Sequence, residues 1–286
     1  MKQILVRFNS IDNIELNGIL YTPEEFSERS IIHVHGLSGN YYQNGFLDNM
    51  ALEYTKKGYN FLSFNNRGNG LISEFIDRKE SPTYIRIGSS YENFEESILD
   101  IEGAIKYLSK LGSKEYILQG HSYGCNKVMN YYLNKKDSSI KKIILLAPCD
   151  VIGKLKLVLK GKYDTLYKKI FKLKEEGNGR KLTFVDGLDG AFSVDTFLKG
   201  WTIGCKADIF KYNLEGYVSK DLLQIKIPII IEIGMEDKFV LFLEKEKVDS
   251  FYKNNFTNYK IDYIKDANHS YLGKEKELLE NILREL

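Results

Sequence analysis

The chain has 286 residues, enough to bury the core of one α/β domain with an insertion, or of two domains. Its 41 Lys and Arg residues nearly balance 39 Asp and Glu residues, and the net charge of +2 creates no overall field that favours nucleic acid or an anionic membrane. Three widely spaced cysteines without a C-x-x-C pair argue against a disulfide framework or a zinc site and favour a reducing compartment.

Neither a membrane span nor a signal peptide is predicted. No apolar run approaches the length that crosses a bilayer, and Arg7 interrupts the N-terminal apolar stretch before a signal-peptide core could form. We therefore expect a cytoplasmic protein whose partner is a small molecule. The composition does not indicate an oligomeric state.

In chain order, the first part of the chain alternates short apolar strands with helices. Strands are predicted at residues 2–8, 14–21, 31–34, 59–64 and 116–119, and helices at residues 46–57, 88–111 and 125–133. The helix at 88–111 is indicated by apolar residues at steps of four and three, which form one buried stripe: Phe94, Ile98, Ile101, Ile105 and Leu108.

After a strand at residues 142–147, the alternation stops in a Lys-rich, partly helical segment at 151–221. It resumes with strands at 227–234 and 259–264 and helices at 242–252 and 274–286. We expect residues 1–150 and 222–286 to form one core and residues 151–221 to be an insertion. The alternation predicts an α/β fold with a mostly parallel sheet covered by helices on both faces.

A possible nucleophile lies in the turn Gly120-His-Ser-Tyr-Gly124, which follows a strand and precedes a helix. This is G-x-S-x-G in the context that gives the pattern meaning, since the turn holds Ser122 in a strained conformation with its hydroxyl exposed. Side chains at positions 120 and 124 would collide there, so both positions require glycine.

The serine needs a base and an acid. Of the four histidines, only His269 lies in a late loop after the final strand, where an imidazole could reach Ser122. Asp237, three residues past the end of a strand, is the expected acid, and Asp150 is the reserve candidate. Because ligands bind at the carboxyl ends of parallel strands, we expect these side chains at one edge of the sheet.

An acyl-transfer site also needs hydrogen-bond donors for the developing oxyanion. We expect the backbone amides of Tyr123, at the start of the helix after the serine, and of Leu37, which follows His35-Gly36. The loop at 65–70 lacks the ending and spacing of a phosphate-binding loop. We interpret it as structural, with Arg67 hydrogen-bonded to neighbouring carbonyl groups.

Aromatic residues of the insertion have two interpretations that the sequence leaves open. Phe192, Phe197 and Trp201 form the core of the inserted segment, or they line an acyl pocket. Cys125 is interpreted as a small, packed residue at the start of a helix, because Ser122 is the better-placed nucleophile. No set of metal ligands is predicted.

These motifs together resemble the α/β-hydrolase superfamily over essentially the whole chain. The resemblance rests on the segments at 35–37, 65–70, 120–124, 227–240 and 268–269, which stand in the expected order. The order serine, acid, histidine is also that of this superfamily. The resemblance implies an eight-stranded, mostly parallel sheet and a serine hydrolase without metal or organic cofactor.

Within the superfamily, the chain looks most like a poorly characterised esterase-like group. Members of that group pair Gly-His-Ser-x-Gly-Cys, here residues 120–125, with an Ala-Pro turn that ends in Asp, here residues 147–150. One departure is Asn65-Asn66, where superfamily members often have Asp. The group carries little information on the substrate.

We therefore expect a hydrolase of carboxylic esters or thioesters with a small to medium, partly apolar acyl group. Ser122 would attack the carbonyl, His269 would act as base, Asp237 would orient it, and residues 151–221 would cap the pocket. An acyltransferase would use the same residues. A catalytically silent fold that only binds a ligand is a third possibility, although such proteins usually lose one member of the triad.

Overall fold

The structure is a computed structural model that describes residues 1–185, residue 188 and residues 190–286. Residues 186, 187 and 189, inside the predicted insertion, lie outside the described residues. The strands are β1 (Lys2–Asn9), β2 (Glu15–Thr22), β3 (Arg29–Val34), β4 (Asn60–Phe64), β5 (Glu74–Asp77), β6 (Thr83–Arg86), β7 (Glu115–His121), β8 (Ile140–Leu146), β9 (Leu182–Phe184), β10 (Ala191–Ser193), β11 (Ile229–Gly234) and β12 (Tyr259–Ile264). The helices are α1 (Phe46–Lys56), α2 (Ser97–Lys110), α3 (Tyr123–Lys135), α4 (Val151–Leu159), α5 (Tyr163–Glu175), α6 (Val194–Gly200), α7 (Lys220–Leu223), α8 (Lys245–Asn255) and α9 (Glu275–Glu285).

Eight strands form the main sheet, in the spatial order β1-β2-β4-β3-β7-β8-β11-β12. Strand β2 runs antiparallel to β1 and β4, and the remaining neighbours pair in parallel. Strands β4 and β11 are buried along their whole length, as both faces of a parallel sheet require. The predicted α/β fold with a mostly parallel eight-stranded sheet is confirmed.

Helices cover both faces of the sheet. Helices α1 and α9 pack against each other on one face, with α1 on β4 and α9 on β11 and β12. Helices α2 and α3 pack against each other on the other face, over β3 and β7. None of the helices in the described part of the chain is long and apolar enough to cross a membrane.

Helix α2 is shorter than the periodicity predicts. The expectation that it begins at residue 88 is wrong, because Gly88 has a φ of +71° and its amide donates a hydrogen bond to the Arg67 carbonyl. The helix begins at Ser97, after a 3-10 turn that the Asn93 side chain caps. The segment before it is therefore a loop that packs on the loop after β4.

The elements between β8 and β11 lie outside the eight-stranded sheet. Helices α4 and α5, the hairpin of β9 and β10, and helices α6 and α7 follow one another there. A second hairpin, of β5 and β6, follows the loop after β4 and was not predicted. Each hairpin lies in a connection that starts at the carboxyl end of a sheet strand. This strand is β4 for the β5–β6 hairpin and β8 for the β9–β10 hairpin.

Candidate active site

Ser122 lies in the sharp turn between β7 and α3. Its φ of +55° and ψ of −126° are unusual for a residue with a side chain, which is the strained conformation expected of this turn. A Cβ atom at Gly124 would collide with the carbonyl oxygen of Val34, and one at Gly120 would lie 2.6 Å from the Cys125 amide nitrogen. The predicted steric reason for both glycines is confirmed.

His269 lies in the loop between β12 and α9, and its imidazole reaches Ser122. The Ser122 Oγ is 2.8 Å from His269 Nε2, and His269 Nδ1 is 2.7 Å from Asp237 Oδ2. A carboxylate only accepts hydrogen bonds, so Nδ1 carries a proton and Nε2 of the neutral ring accepts the serine hydroxyl. The structure thus brings the three residues of the predicted triad into one hydrogen-bonded chain.

Asp237 is almost completely buried in the loop that follows β11, with 1% of its surface exposed. Its Oδ1 accepts hydrogen bonds from the amides of Phe239, at 2.8 Å, and Val240, at 3.2 Å. These donors compensate the buried charge and fix the carboxylate, which leaves Oδ2 directed at the imidazole.

Asp150, the reserve candidate for the acid, is used elsewhere. It caps helix α4: Oδ1 accepts from the Gly153 amide at 2.7 Å and Oδ2 from the Asn213 amide at 3.2 Å. Burial raises the pKa of Asp150 to about 6. Its hydrogen bonds join the first turn of α4 to the end of the inserted segment, and none of them involves His269.

The two predicted oxyanion donors flank the serine. The backbone at Gly36 runs so close to the turn that a Cβ atom there would lie 2.9 Å from the Ser122 Cβ. The Leu37 amide, which follows, has no acceptor among the described residues. Tyr123 is the first residue of α3, so its amide has no carbonyl partner within the helix. Leu37 and Tyr123 both line the cavity that contains Ser122.

The loop that carries Leu37 is braced by residues whose roles the sequence did not reveal. His35 Nδ1 donates to the Gly36 carbonyl at 2.8 Å, and Nε2 accepts from the Asn66 amide at 3.1 Å. Burial lowers the pKa of His35 to about 3, so the ring stays neutral. Lys127, ion-paired with Glu92, donates to Asn66 Oδ1 at 2.9 Å.

Arg67 has different partners from those predicted. Its guanidinium is buried and pairs with three carboxylates, at 2.8 Å from Asp100, 2.9 Å from Asp12 and 2.6 Å from Glu96. The expectation that it binds carbonyl groups is wrong, because the start of α2 and the β1–β2 turn place acidic side chains opposite it. The interpretation of this loop as structural agrees with these contacts.

A cavity of about 480 Å³ opens above Ser122 and His269. Its apolar lining comes from the loop after β4, from the inserted segment and from the loop after β11, and includes Leu71, Val151, Leu188, Trp201 and Phe239. Polar lining residues include Gln43, Asn44, His121 and Ser270. Among the described residues, no group of three His, Cys, Asp or Glu side chains is arranged to hold a metal ion.

The three aromatic residues of the insertion occupy different places. Trp201 lines the cavity, and its ring stacks on that of Tyr123 with the centroids 5.5 Å apart. Phe192 packs behind Trp201 at 5.3 Å, and Phe197 is buried in the core. Neither of these two is among the described residues that line the cavity. Trp201 therefore lies at the cavity, whereas Phe192 and Phe197 belong to the core of the inserted segment.

Sequence and structure comparisons identify similar proteins. Residues 29–182, more than half of the chain, match the family described as alpha/beta hydrolase fold. Adenylate dimethylallyltransferase of Dictyostelium discoideum is 26% identical over 178 residues, which are 59% of this chain and 58% of that protein. The chain thus spans less than two thirds of the length of this relative.

Three solved structures are similar along nearly the whole chain. Est1E of Butyrivibrio proteoclasticus, described with ferulic acid bound, is 19% identical, with 96% of this chain and 95% of that chain covered and a TM-score of 0.67. A carboxyl esterase of Bacillus coagulans in complex with glycerol is 12% identical, with coverages of 99% and 97% and a TM-score of 0.68. An esterase of Pyrococcus furiosus is 19% identical, with coverages of 99% and 91% and a TM-score of 0.61. At these identities the similarity is one of fold.

Proposed function

This chain belongs to the alpha/beta hydrolase fold family, and on that premise we propose that it is a serine hydrolase of carboxylic esters or thioesters. The observation that carries the proposal is the hydrogen-bonded chain from Ser122 through His269 to the buried Asp237. This arrangement suits acyl transfer through a covalent intermediate, because it provides a nucleophile, a base and a group that orients the base.

Acylation of the enzyme is the first half of the proposed reaction. Ser122 Oγ attacks the carbonyl carbon while His269 Nε2 takes the hydroxyl proton. The carbonyl oxygen becomes an oxyanion that accepts hydrogen bonds from the Leu37 and Tyr123 amides, each worth about 3 kcal/mol in the transition state. The bond between the carbonyl carbon and the leaving oxygen or sulfur then breaks, and His269 gives its proton to that atom. The acyl group stays on the enzyme as an ester of Ser122.

Deacylation repeats these steps with water. His269 takes a proton from a water molecule, which attacks the acyl carbon, and the same two amides hold the second oxyanion. Collapse of this intermediate releases the carboxylic acid and returns the proton to Ser122. Throughout, the carboxylate of Asp237 stabilises the imidazolium and selects the Nδ1–H tautomer.

The cavity lining supports an acyl group that is small to medium and at least partly apolar. Residues 151–221 contribute Val151, Leu188 and Trp201 to the lining, so we propose that this segment is a cap that determines substrate choice. Residues 1–150 and 222–286 would then be the two parts of the catalytic core. A cavity of about 480 Å³ is in the range of small-molecule sites.

The test is a chain-length series of p-nitrophenyl esters and acyl thioesters on wild type and Ser122→Ala. We expect turnover by wild type, with an optimum at a short or medium chain, and a loss of at least about a thousandfold in Ser122→Ala. Ser138→Ala, at an exposed serine between α3 and β8, is the matched control and should retain wild-type rates. Equal rates in wild type and Ser122→Ala would contradict the proposal.

Product analysis distinguishes the two alternative functions of the same site. If alcohol, amine or thiol acceptors take the acyl group and water never does, the protein is an acyltransferase. Saturable binding of esters without turnover would instead identify a ligand-binding protein. The intact hydrogen-bonded chain favours a catalytic site over a silent one.

A further inference from the structure

His121 precedes Ser122 in the chain, and its ring contacts the loop that carries His269. His121 Nε2 lies 2.8 Å from the backbone carbonyl oxygen of His269. The two imidazole rings lie side by side, with their centroids 5.2 Å apart. His121 is buried, between Phe46 at 5.5 Å and Tyr271 at 6.4 Å. The ring is therefore held against the His269 loop by packing as well as by a hydrogen bond.

The hydrogen bonds of His121 define its tautomer. A carbonyl oxygen only accepts, so Nε2 carries the proton. The other nitrogen, Nδ1, lies 3.5 Å from the Asn44 side-chain amide, which can donate to it. Burial lowers the pKa of His121 to about 4, so the ring is neutral near pH 7 and has one donor and one acceptor, as these contacts require.

The backbone of His269 has few other attachments. In the described part of the chain, the bond from His121 is the one hydrogen bond made by the His269 backbone. Neighbouring positions of the loop are held by Asn268, whose Oδ1 accepts from the Ser270 and Leu272 amides, and by Ala267, whose carbonyl accepts from Glu236. His121 thus attaches the loop at the residue that carries the base.

We propose that His121 is a positioning residue, which ties the His269 backbone to the turn that carries Ser122. The contacts form a closed ring: His121 is covalently joined to Ser122, hydrogen-bonded to the His269 backbone, and linked back through the His269 imidazole to Ser122 Oγ. The inference rests on the proposed function, in which the His269 imidazole exchanges a proton with Ser122. For that exchange, Nε2 must stay within hydrogen-bond distance of Ser122 Oγ.

The distance between nucleophile and base is the quantity that this contact would control. A displacement of about 1 Å in a reacting group costs up to about a hundredfold in rate. Without the His121 donor, the His269 carbonyl would lose its protein partner and the loop would be held only through its neighbours. The expected consequence is a lower kcat with little change in KM, because His121 is on the polar side of the cavity, away from the apolar residues proposed to hold the acyl group, Val151, Leu188 and Trp201.

The experiment compares three variants: His121→Leu, which removes the donor; His121→Gln, whose amide can donate in its place; and His33→Leu as the matched control. His33 is also a buried histidine, but its hydrogen bond is with the Gln119 side chain and not with the His269 loop. Each variant is assayed for kcat and KM with a p-nitrophenyl ester, and the hydrogen–deuterium exchange of residues 266–271 is measured. Thermal unfolding verifies that each variant is folded.

We expect His121→Leu to lower kcat about ten- to a hundredfold with KM nearly unchanged and to raise exchange in residues 266–271. His121→Gln should recover most of the kcat and the protection, and His33→Leu should lower only thermal stability. Unchanged exchange in His121→Leu, or an equal loss of kcat in His121→Gln or His33→Leu, would overturn the inference. Because exchange needs no turnover, it tests the attachment even if wild type hydrolyses no ester, a result that would contradict the proposed function alone.

Discussion

At the scale of single residues, Asp237 divides its two carboxylate oxygens between two tasks. Oδ1 accepts from two backbone amides of its own loop, and Oδ2 accepts from His269 Nδ1. An asparagine could keep one of these sets of contacts but would place an amide group, which can donate, next to the ring. The ring would then lose the tautomer that accepts from Ser122.

Asp237→Asn should therefore lower kcat by about a thousandfold or more, because the wrong tautomer of His269 cannot take the serine proton. Asp150→Asn should change kcat less than about tenfold, since asparagine also caps helices and the contacts of Asp150 are with the Gly153 and Asn213 amides. Steady-state kinetics of both variants, with the most active ester as substrate, provide the measurement. A larger loss of kcat in Asp150→Asn than in Asp237→Asn would identify Asp150 as the acid.

At the residue level, the sequence indicated which side chains meet at the edge of the sheet. The positions of Ser122, His269 and Asp237 follow from strand ends, and the structure brings their side chains together. The roles of His35 and His121 could not be predicted, because both depend on contacts between distant segments. A histidine that lies beside a carbonyl group in the fold has no characteristic spacing in the sequence.

At the scale of elements, strand β11 carries a buried carboxyl group in its middle. Glu232 is 0% exposed, and its Oε2 accepts from the Asn281 side chain of α9 at 3.0 Å. Burial raises the pKa of Glu232 from 4.5 to about 8. The folded protein therefore retains this proton at pH values where the unfolded chain has released it.

The sign of the pH dependence follows from that difference. Between about pH 4.5 and 8, folding binds a proton at Glu232, so this group lowers the free energy of unfolding as pH rises. Glu232→Gln removes the titration but keeps the shape. We expect the variant to exceed wild type by about 2–4 kcal/mol in urea unfolding at pH 8, with the difference vanishing near pH 4.5. A difference that is independent of pH would contradict this account.

Element boundaries show where sequence patterns lose information. The eight strands of the main sheet were predicted within about two residues, because short apolar runs bounded by turns are typical of buried parallel strands. The start of α2 was misplaced by nine residues, from 88 to Ser97. The apolar stripe is present there, but Gly88 and the Asn93 cap decide where the helix begins. The Gly88 amide binds the loop after β4, a contact that no sequence spacing reveals, whereas Asn93 caps the turn locally through the Glu95 amide.

At the scale of the whole molecule, Arg67 joins three separate parts of the fold. Its side chain, 1% exposed, bridges the β1–β2 turn at Asp12 and the start of α2 at Glu96 and Asp100. Asp100 is fully buried, and the Arg67 guanidinium forms an ion pair with its carboxylate. Such a pair is costly to break from one side, since the remaining charge is left without compensation.

Arg67→Met should lower the free energy of unfolding by about 3–5 kcal/mol in urea denaturation. The matched control is Arg86→Met, which removes a pair with Glu74 whose side chains are 70% and 56% exposed. That loss should be at most about 1 kcal/mol, because solvent screens an exposed pair. Equal losses would mean that the Arg67 cluster does not join these parts of the fold.

The global architecture was predictable because the alternation of strands and helices restricts the topology of the sheet. The inserted segment was not, since its short helices and hairpin have no regular period. Trp201 lines the cavity, Phe192 packs behind Trp201 and Phe197 is buried in the core, and only the fold of that segment separates these positions. The proposed cap is therefore the part of the molecule whose structure its sequence predicts least.

The measurement that tests the central claim most directly is covalent labelling with a fluorophosphonate, followed by mass spectrometry of the labelled peptide. We predict one adduct per chain on Ser122, loss of labelling in Ser122→Ala, and normal labelling in Ser138→Ala. Slower labelling in Asp237→Asn would agree with the orientation of His269 by that carboxylate. Unchanged labelling in Ser122→Ala, or an adduct on another residue, would contradict the assignment of Ser122 as the nucleophile.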